Sequence, residues 1–335
     1  MYSMEKIAAE IKESARDLIS GKRVDLVIGY EKGSLALRSR PCFVSSVEDA
    51  GKLVWNSLCT NNLSVYLPRY VQKGPQKRKE DVKPVRVGIV AKGCDVRSIV
   101  GLVKEKQISR ENVVIIRVPC RGVIDRAKVE TQLKGNEVNE YKEDSSEILH
   151  LTTVAGEEKT FSKEQFLADA CLECELAEPE DVDIRISGTA KQTFPNRYER
   201  VREFEAKSRE ERWQHFKKEI SKCIRCNACR QACPNCFCKS CFAEQGKPRW
   251  VGAGTDLSNT MFYHIGRIFH QAGRCVECDA CVRACPMGID LRLFTQKMVK
   301  DVAEAFGYIA GLSAEEKPPL CEFGDADGQG LITTL

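Results

Sequence analysis

No apolar run in this sequence approaches the length needed to span a bilayer; the longest, such as VVII at 113–116, are only a few residues long. The start, MYSMEKIAAEIKESARDLI, alternates charged with apolar residues, which excludes a secretory signal peptide. Net charge is equally scarce: a surplus of +4 over 335 residues gives no basic surface for a nucleic acid. A G-x-G-x-x-G turn between a strand and a helix is missing as well, since VGAGT at 251–255 has no such setting. Nor does the pattern supply a catalytic acid, a base or a substrate pocket. With 42% hydrophobic and 30% charged residues, what remains is a soluble, cytoplasmic chain of about two domains.

What the chain does have is cysteine, eighteen of them. In a reducing cytoplasm thiols stay free, and clustered ones bind metal. Residues 223–233 read CIRCNACRQAC before Pro234, and residues 275–285 read CVECDACVRAC before Pro286. Each is C-x2-C-x2-C-x3-C-P, the run that wraps a [4Fe–4S] cluster in soft thiolates. In two-cluster proteins the fourth cysteine of each run ligates the other cluster. The expected sets are therefore Cys223, Cys226, Cys229 and Cys285 for cluster 1, and Cys275, Cys278, Cys281 and Cys233 for cluster 2. Structural zinc is the alternative, but zinc sites pair two C-x2-C knuckles and do not use this run.

Periodicity predicts an α/β N-terminal domain with a mixed sheet, followed by a mainly α-helical domain. Ile7, Ala8, Ile11, Ala15, Leu18 and Ile19 share one face of a helix over 4–20, ended by Gly21. Buried strands are expected at 24–30, 85–93 and 112–120, a strand ended by Pro68 at 63–69, and a last strand at 181–188. Helices are expected at 46–58, with Ser46 as N-cap, and at 95–108. Strand–helix–strand with β-branched runs gives a parallel or mixed sheet flanked by helices. The basic, proline-bearing stretch 72–84 reads as an exposed loop, its charges from Lys73 to Lys83 solvated or used for docking. Within 125–165 a small hairpin turns at Ala155–Gly156. One charged helix over 197–223 leads into the first cysteine run. A helix over 257–273, with Met261, Ile265 and Phe269 on one face, and another over 289–306 follow. The resulting limits are an α/β domain at 1–190, a linker at 191–200, a helical cluster domain at 201–313, and a tail at 314–335.

The N-terminal half holds a second cysteine set. KGCDVRS puts Cys94 where a strand ends and a helix begins, VPCRG puts Cys120 at the end of the next strand, and CLEC supplies Cys171 and Cys174. Sites in open α/β sheets form outside the carboxyl ends of the strands, so these four thiolates make a ligand set for a third [4Fe–4S] cluster. VRVGIVAKGCDV, VVIIRVPC and CLEC…VDIRISG, in that order, resemble the beta-subunit family of coenzyme F420-dependent hydrogenases and formate dehydrogenases, over roughly residues 20–190. In that family the four cysteines hold a cluster beside a flavin, a role the resemblance carries to Cys94, Cys120, Cys171 and Cys174. The first helix here lacks the family's Asp-Gly-Gly or Ser-Gly-Gly segment, and the strand-end turn is AKGC rather than GTPC-like. FAD is therefore left open as a cofactor. Helix, run, helix, run, helix in the C-terminal half resembles the dicluster ferredoxin module of succinate dehydrogenase iron–sulfur subunits and of the heterodisulfide reductase small subunit.

Cys236, Cys238 and Cys241 follow directly on the first run, in CPNCFCKSC. They are read as a candidate further cluster or zinc site, with Cys42 or Cys59 as fourth partner, or else as thiols packed around cluster 2. Cys321 is read as a free thiol. His264 and His270 are read as packing or surface residues. Arg225, Arg230, Lys239, Arg274 and Arg283 are expected mostly to face solvent, a few near enough to raise cluster potentials. The functional expectation is an iron–sulfur electron-transfer subunit, without a substrate site of its own, in a multi-subunit oxidoreductase. The resemblance implies formate dehydrogenase, hydrogenase or heterodisulfide-reductase-like partner subunits in an anaerobe. Two other readings stand beside it: a flavin-containing subunit that exchanges hydride with F420 or a nicotinamide, and a zinc-bound assembly scaffold.

Overall fold

β-Branched runs build the N-terminal sheet, and helices supply its cover. α1 (Met4–Ser20) buries Ile7, Ile11, Ala15 and Leu18 on the face its periodicity gives. There follow β1 (Leu26–Lys32), β2 (Ser39–Val44), α2 (Leu67–Val71), β3 (Val87–Ala91), α3 (Gly93–Lys104) and β4 (Val113–Arg117). α4 (Arg126–Gln132), β5 (Val138–Glu143), β6 (Ile148–Thr153), β7 (Glu158–Ser162), α5 (Asp169–Leu172) and β8 (Ile184–Arg185) complete this half. The main sheet has the order β2–β1–β3–β4–β8, with β2 antiparallel at one edge and the other strands parallel. Every residue of β3 is buried, as a strand covered on both faces must be. β5, β6 and β7 form a separate antiparallel sheet.

The computed structural model describes residues 4–71, 85–174, 181–190, 197–319 and 321. The chain divides into two compact units, Met1–Pro195 and Asn196–Leu335. The basic stretch 72–84, most of the expected linker, and the tail past Pro319 apart from Cys321 lie outside the described residues. Among the described residues, no helix is long and apolar enough to cross a membrane.

Several elements differ from the sequence expectation. Residues 63–69 are helical, a 3-10 turn at Leu63–Tyr66 running into α2. Asn62 caps that turn, its side chain accepting from the Ser64 amide at 3.2 Å, and Pro68 sits in the first turn of α2, where its missing N–H is not needed. Residues 46–58 form only a 3-10 turn at Asp49–Lys52, because Val54 donates its amide to the Tyr30 carbonyl of β1 at 2.8 Å instead of continuing a helix. β2 was not foreseen; its Pro41 is tolerated because β2 lies at the sheet edge. The hairpin β6–β7 turns at Gly156, whose φ of 81° needs glycine, and β5 joins it as a third strand.

The C-terminal unit holds α6 (Glu199–Glu205), α7 (Arg209–Ser221), α8 (Ala228–Gln231), α9 (Leu257–His270), α10 (Ala280–Arg283) and α11 (Leu291–Phe306). The one charged helix expected at 197–223 is broken in two. Ser208 and Glu211 form a capping box that starts α7 afresh. Val201, Phe216, Ile220, Ile268, Leu291 and Phe294 pack as the core of this unit. Asp290 caps α11 at its start, and Gly307 ends it with a φ of 62°.

Candidate metal centres

The two cysteine runs fold alike because both reverse the hand of the backbone at matching places. Arg225 and Asn227 take φ values of 55° and 60°, and Glu277 and Asp279 take 58° and 55°. Left-handed residues among right-handed neighbours turn successive N–H groups to one side, a nest suited to anionic sulfur. The Arg225 amide donates to Cys223 Sγ at 3.3 Å, and the Glu277 amide donates to Cys275 Sγ at 3.4 Å. α8 and α10 then carry the third cysteine of each run, Cys229 and Cys281. The second loop is braced by a buried pair, Arg292 to Asp279 at 3.1 Å, and Arg292 Nη1 also donates to the Glu277 carbonyl at 3.4 Å. In the first loop the Arg225 guanidinium lies 4.7 Å from the Tyr263 ring centroid.

One cavity is walled by Cys223, Cys226, Cys229 and Cys285, with Tyr263, His264, Ile289 and Leu291 around them. Three thiols of the first run and the fourth of the second thus face the same space. Cys229 is buried and Cys226 exposed, so the cavity meets solvent on the Cys226 side. Cys275, Cys281 and Cys233 are mutual electrostatic neighbours, with Cys278 beside Cys281. Burial pushes the Cys281 thiol up to about 12 and holds Cys275 well above a free thiol. Thiols in such surroundings ionise only against a cation, and a metal-bound thiol is deprotonated outright. Among the described residues, no three Cys, His, Asp or Glu side chains converge on a point that holds a single metal ion. A ring of thiols around a cavity fits a cube with iron at its corners, with backbone N–H groups left to donate to sulfur.

α9 turns a polar face to these thiols. His264 Nε2 stands 3.2 Å from Cys223 Sγ, and burial, then Arg267 and Arg225, lower the imidazole to about 4, so it is neutral at pH 7. The Tyr263 hydroxyl is 3.9 Å from Cys229 Sγ. Gln271, which caps α9, donates from Nε2 to Cys236 Sγ at 3.4 Å and accepts from Cys233 Sγ at 3.7 Å. Met261 and Ile265 pack against the core as the periodicity implies, but Phe269 is 61% exposed. The inner positions go to polar side chains because the neighbouring sulfurs take part in hydrogen bonds. His264 is packed inside the unit, 1% exposed and in contact with the Cys223 sulfur, whereas His270 lies on the surface, its ring 4.8 Å from that of Phe242.

Of the five cations expected to face solvent, only Lys239 is exposed. Arg230 pairs with Glu244, Arg274 lies over the Phe237 ring, and Arg283 donates to the Cys278 carbonyl at 2.9 Å. Cys236, Cys238 and Cys241 have separate surroundings: Cys236 meets Gln271 and Cys233, Cys238 is exposed, and Cys241 packs beside Ala243, Val251 and Tyr263. Cys42 and Cys59 are buried in the N-terminal unit, where burial pushes their thiols up to about 11 and about 12. They behave there as small hydrophobes. Cys321 is exposed and free of a disulfide.

In the N-terminal unit Cys94 stands in the first turn of α3, and Cys120 lies just past β4. Cys171, in α5, accepts from the Val123 amide at 3.3 Å and is an electrostatic neighbour of Cys120. Burial, then Cys171, pushes the Cys120 thiol up to about 11. Cys174 lies just past α5. Between β3 and α3 sits a side chain the sequence pattern does not single out. Lys92 is 3% exposed, and its Nζ pairs with Asp95 at 2.9 Å and donates to the carbonyls of Asn61 at 2.8 Å and Cys59 at 3.1 Å. It also donates to the Tyr30 hydroxyl, and it counts Cys94 and Cys120 among its charge neighbours. Its only sequence signal is a lysine at the end of an otherwise apolar strand.

Residues 219–289 match the 4Fe-4S dicluster domain. Over 90% of its length the chain is 24% identical to the F420-dependent formate dehydrogenase subunit beta of Methanocaldococcus jannaschii, covering 91% of that protein. Over 89% it is 23% identical to the F420-dependent formate dehydrogenase 1 subunit beta of Methanococcus maripaludis, covering 89% of that protein. Its homologues are F420-dependent formate dehydrogenase beta subunits. Among solved structures, a chain of the F420-reducing [NiFe] hydrogenase complex from Methanosarcina barkeri superposes with a TM-score of 0.34 and 14% identity, covering 50% of this chain and 57% of its own. The matched dicluster region spans both cysteine runs and α9, the segment whose backbone and side chains face the thiols.

Proposed function

We propose that this chain is the iron–sulfur electron-transfer subunit of a cytoplasmic, formate dehydrogenase-like complex, relaying single electrons between a catalytic subunit and an acceptor. The observation that carries this reading is the cavity walled by Cys223, Cys226, Cys229 and Cys285. Bound [4Fe–4S] clusters supply one-electron transfer. The residues of the chain hold and surround them. Cys223, Cys226, Cys229 and Cys285 hold cluster 1, and Cys275, Cys278, Cys281 and Cys233 hold cluster 2. Cys94, Cys120, Cys171 and Cys174 hold a third, with the fixed charge of Lys92 beside them. The left-handed loops aim amides at sulfur, α9 adds side-chain donors, and Ile289 and Leu291 exclude water. Cys236 belongs to the surroundings of cluster 2. Residues 1–190 and 201–313 are the two cluster-bearing domains. Homology along nine-tenths of the formate dehydrogenase subunit supports assembly with a formate dehydrogenase catalytic subunit.

That same homology favours one other reading, because the relatives are named as F420-dependent. In it the N-terminal unit carries FAD and exchanges hydride with F420 itself. Flavin quantification of the purified chain, with a soluble hydride donor added, separates the two. The relay reading predicts no stoichiometric flavin and no direct reduction. One bound FAD per chain with reduction by the donor overturns it.

A further inference from the structure

α9 runs past both ligand sets, and its inner face carries a buried cation with spare donors. The Arg267 guanidinium is 4% exposed, and its Nε and Nη1 are buried without a hydrogen-bond partner. Its Nη2 donates to the Cys229 carbonyl at 3.1 Å. A buried charge is costly unless something pairs it, and no carboxylate among the described residues pairs with Arg267. The neighbours that stabilise its charge are thiols: Cys281, Cys233, Cys236 and Cys229. These belong to both ligand sets, Cys229 to the first and Cys233 and Cys281 to the second. His264 meets Cys223 of one set and Gln271 meets Cys233 of the other, but Arg267 reaches both.

We infer that Arg267 is the shared counter-charge of the two clusters, a positioning residue whose guanidinium raises the reduction potential of both. The inference rests on the assignment of the eight thiolates to these clusters. Arginine stays protonated at any working pH, so its charge is fixed. A cluster held by four thiolates is anionic, and taking up an electron makes it more so. A fixed cation in a poorly screening interior therefore favours the reduced form. The N–H groups on Nε and Nη1 act in the same direction, because hydrogen bonds to cluster sulfur tune the potential. Among the described residues no carboxylate offsets this guanidinium; thiolates on bound clusters supply the negative charge.

The test is an EPR-monitored redox titration of the full chain with its iron and sulfide content measured in parallel, for wild type, Arg267→Gln and Arg267→Lys. With clusters retained, Arg267→Gln is expected to shift two midpoints to lower potential, while Arg267→Lys, which keeps the charge, shifts them less. If Arg267→Gln loses iron and Arg267→Lys keeps both clusters, the charge is again what the clusters require, and the inference stands. Native midpoints in a fully loaded Arg267→Gln chain overturn it, and so does loss of iron from both variants, which leaves a packing role. A wild-type chain that lacks the two clusters overturns the thiolate assignment itself, and this inference falls with it; iron content of the wild type tells that case apart.

Discussion

Cys285 ties the two cysteine runs together, because it faces the cavity walled by Cys223, Cys226 and Cys229. Cys285→Ser is therefore expected to disturb the same EPR signal as Cys226→Ser, and not the one altered by Cys278→Ser. If Cys285→Ser instead matches Cys278→Ser, the crossed assignment is wrong. Cys94→Ser or Cys174→Ser is expected to remove about four iron atoms per chain and leave the dicluster signals intact, since each cube holds four. Iron analysis checks this, and an unchanged count removes the N-terminal cluster. Cysteines are legible in sequence because thiolate spacing along the chain is itself the signal. Arg267 and Lys92 are not, because what makes each of them notable is burial among distant residues. Lys92 is defined by Tyr30, Asn61 and Cys59, and no local pattern announces those contacts.

At the scale of elements, Gly307 gives the cleanest test. It ends α11 with a φ of 62°, and a Cβ added there meets nothing within 4 Å. The cost of Gly307→Ala is then purely conformational, about 1 kcal/mol, and iron content should not change. Denaturant unfolding of the loaded chain reads the first, and iron analysis the second. A loss well beyond that size means that the end of α11 is held by contacts of another kind. Elements set by local periodicity were legible: α1, β3, β4 and α11 lie within or close to the ranges the pattern gave. Elements set by capping chemistry were not. Ser208 and Glu211 divide a continuous charged pattern into α6 and α7, and Asn62 with Pro68 turns an apolar run into helix. Periodicity points to only part of the buried face of α9, for a related reason. Hydrophobicity marks an inner face only where the neighbours are apolar, and here they are sulfurs that hydrogen-bond.

For the whole molecule, the division into an α/β unit and a helical unit follows from where β-branched runs stop and the cysteine-spaced helices begin. Each unit contains a set of thiols placed at element ends: strand ends and helix starts in the first, left-handed loops and short helices in the second. Such placement holds the thiols rigidly, as the proposed relay requires. The class of partner came from motif order and from homology, since no residue pattern inside a relay subunit names the enzyme it serves. Anaerobic quantification of iron, acid-labile sulfide and zinc in the full chain tests the central claim most directly. The relay account predicts about twelve iron atoms per chain with matching sulfide, four for each cube. Zinc in place of iron, with no acid-labile sulfide, contradicts it.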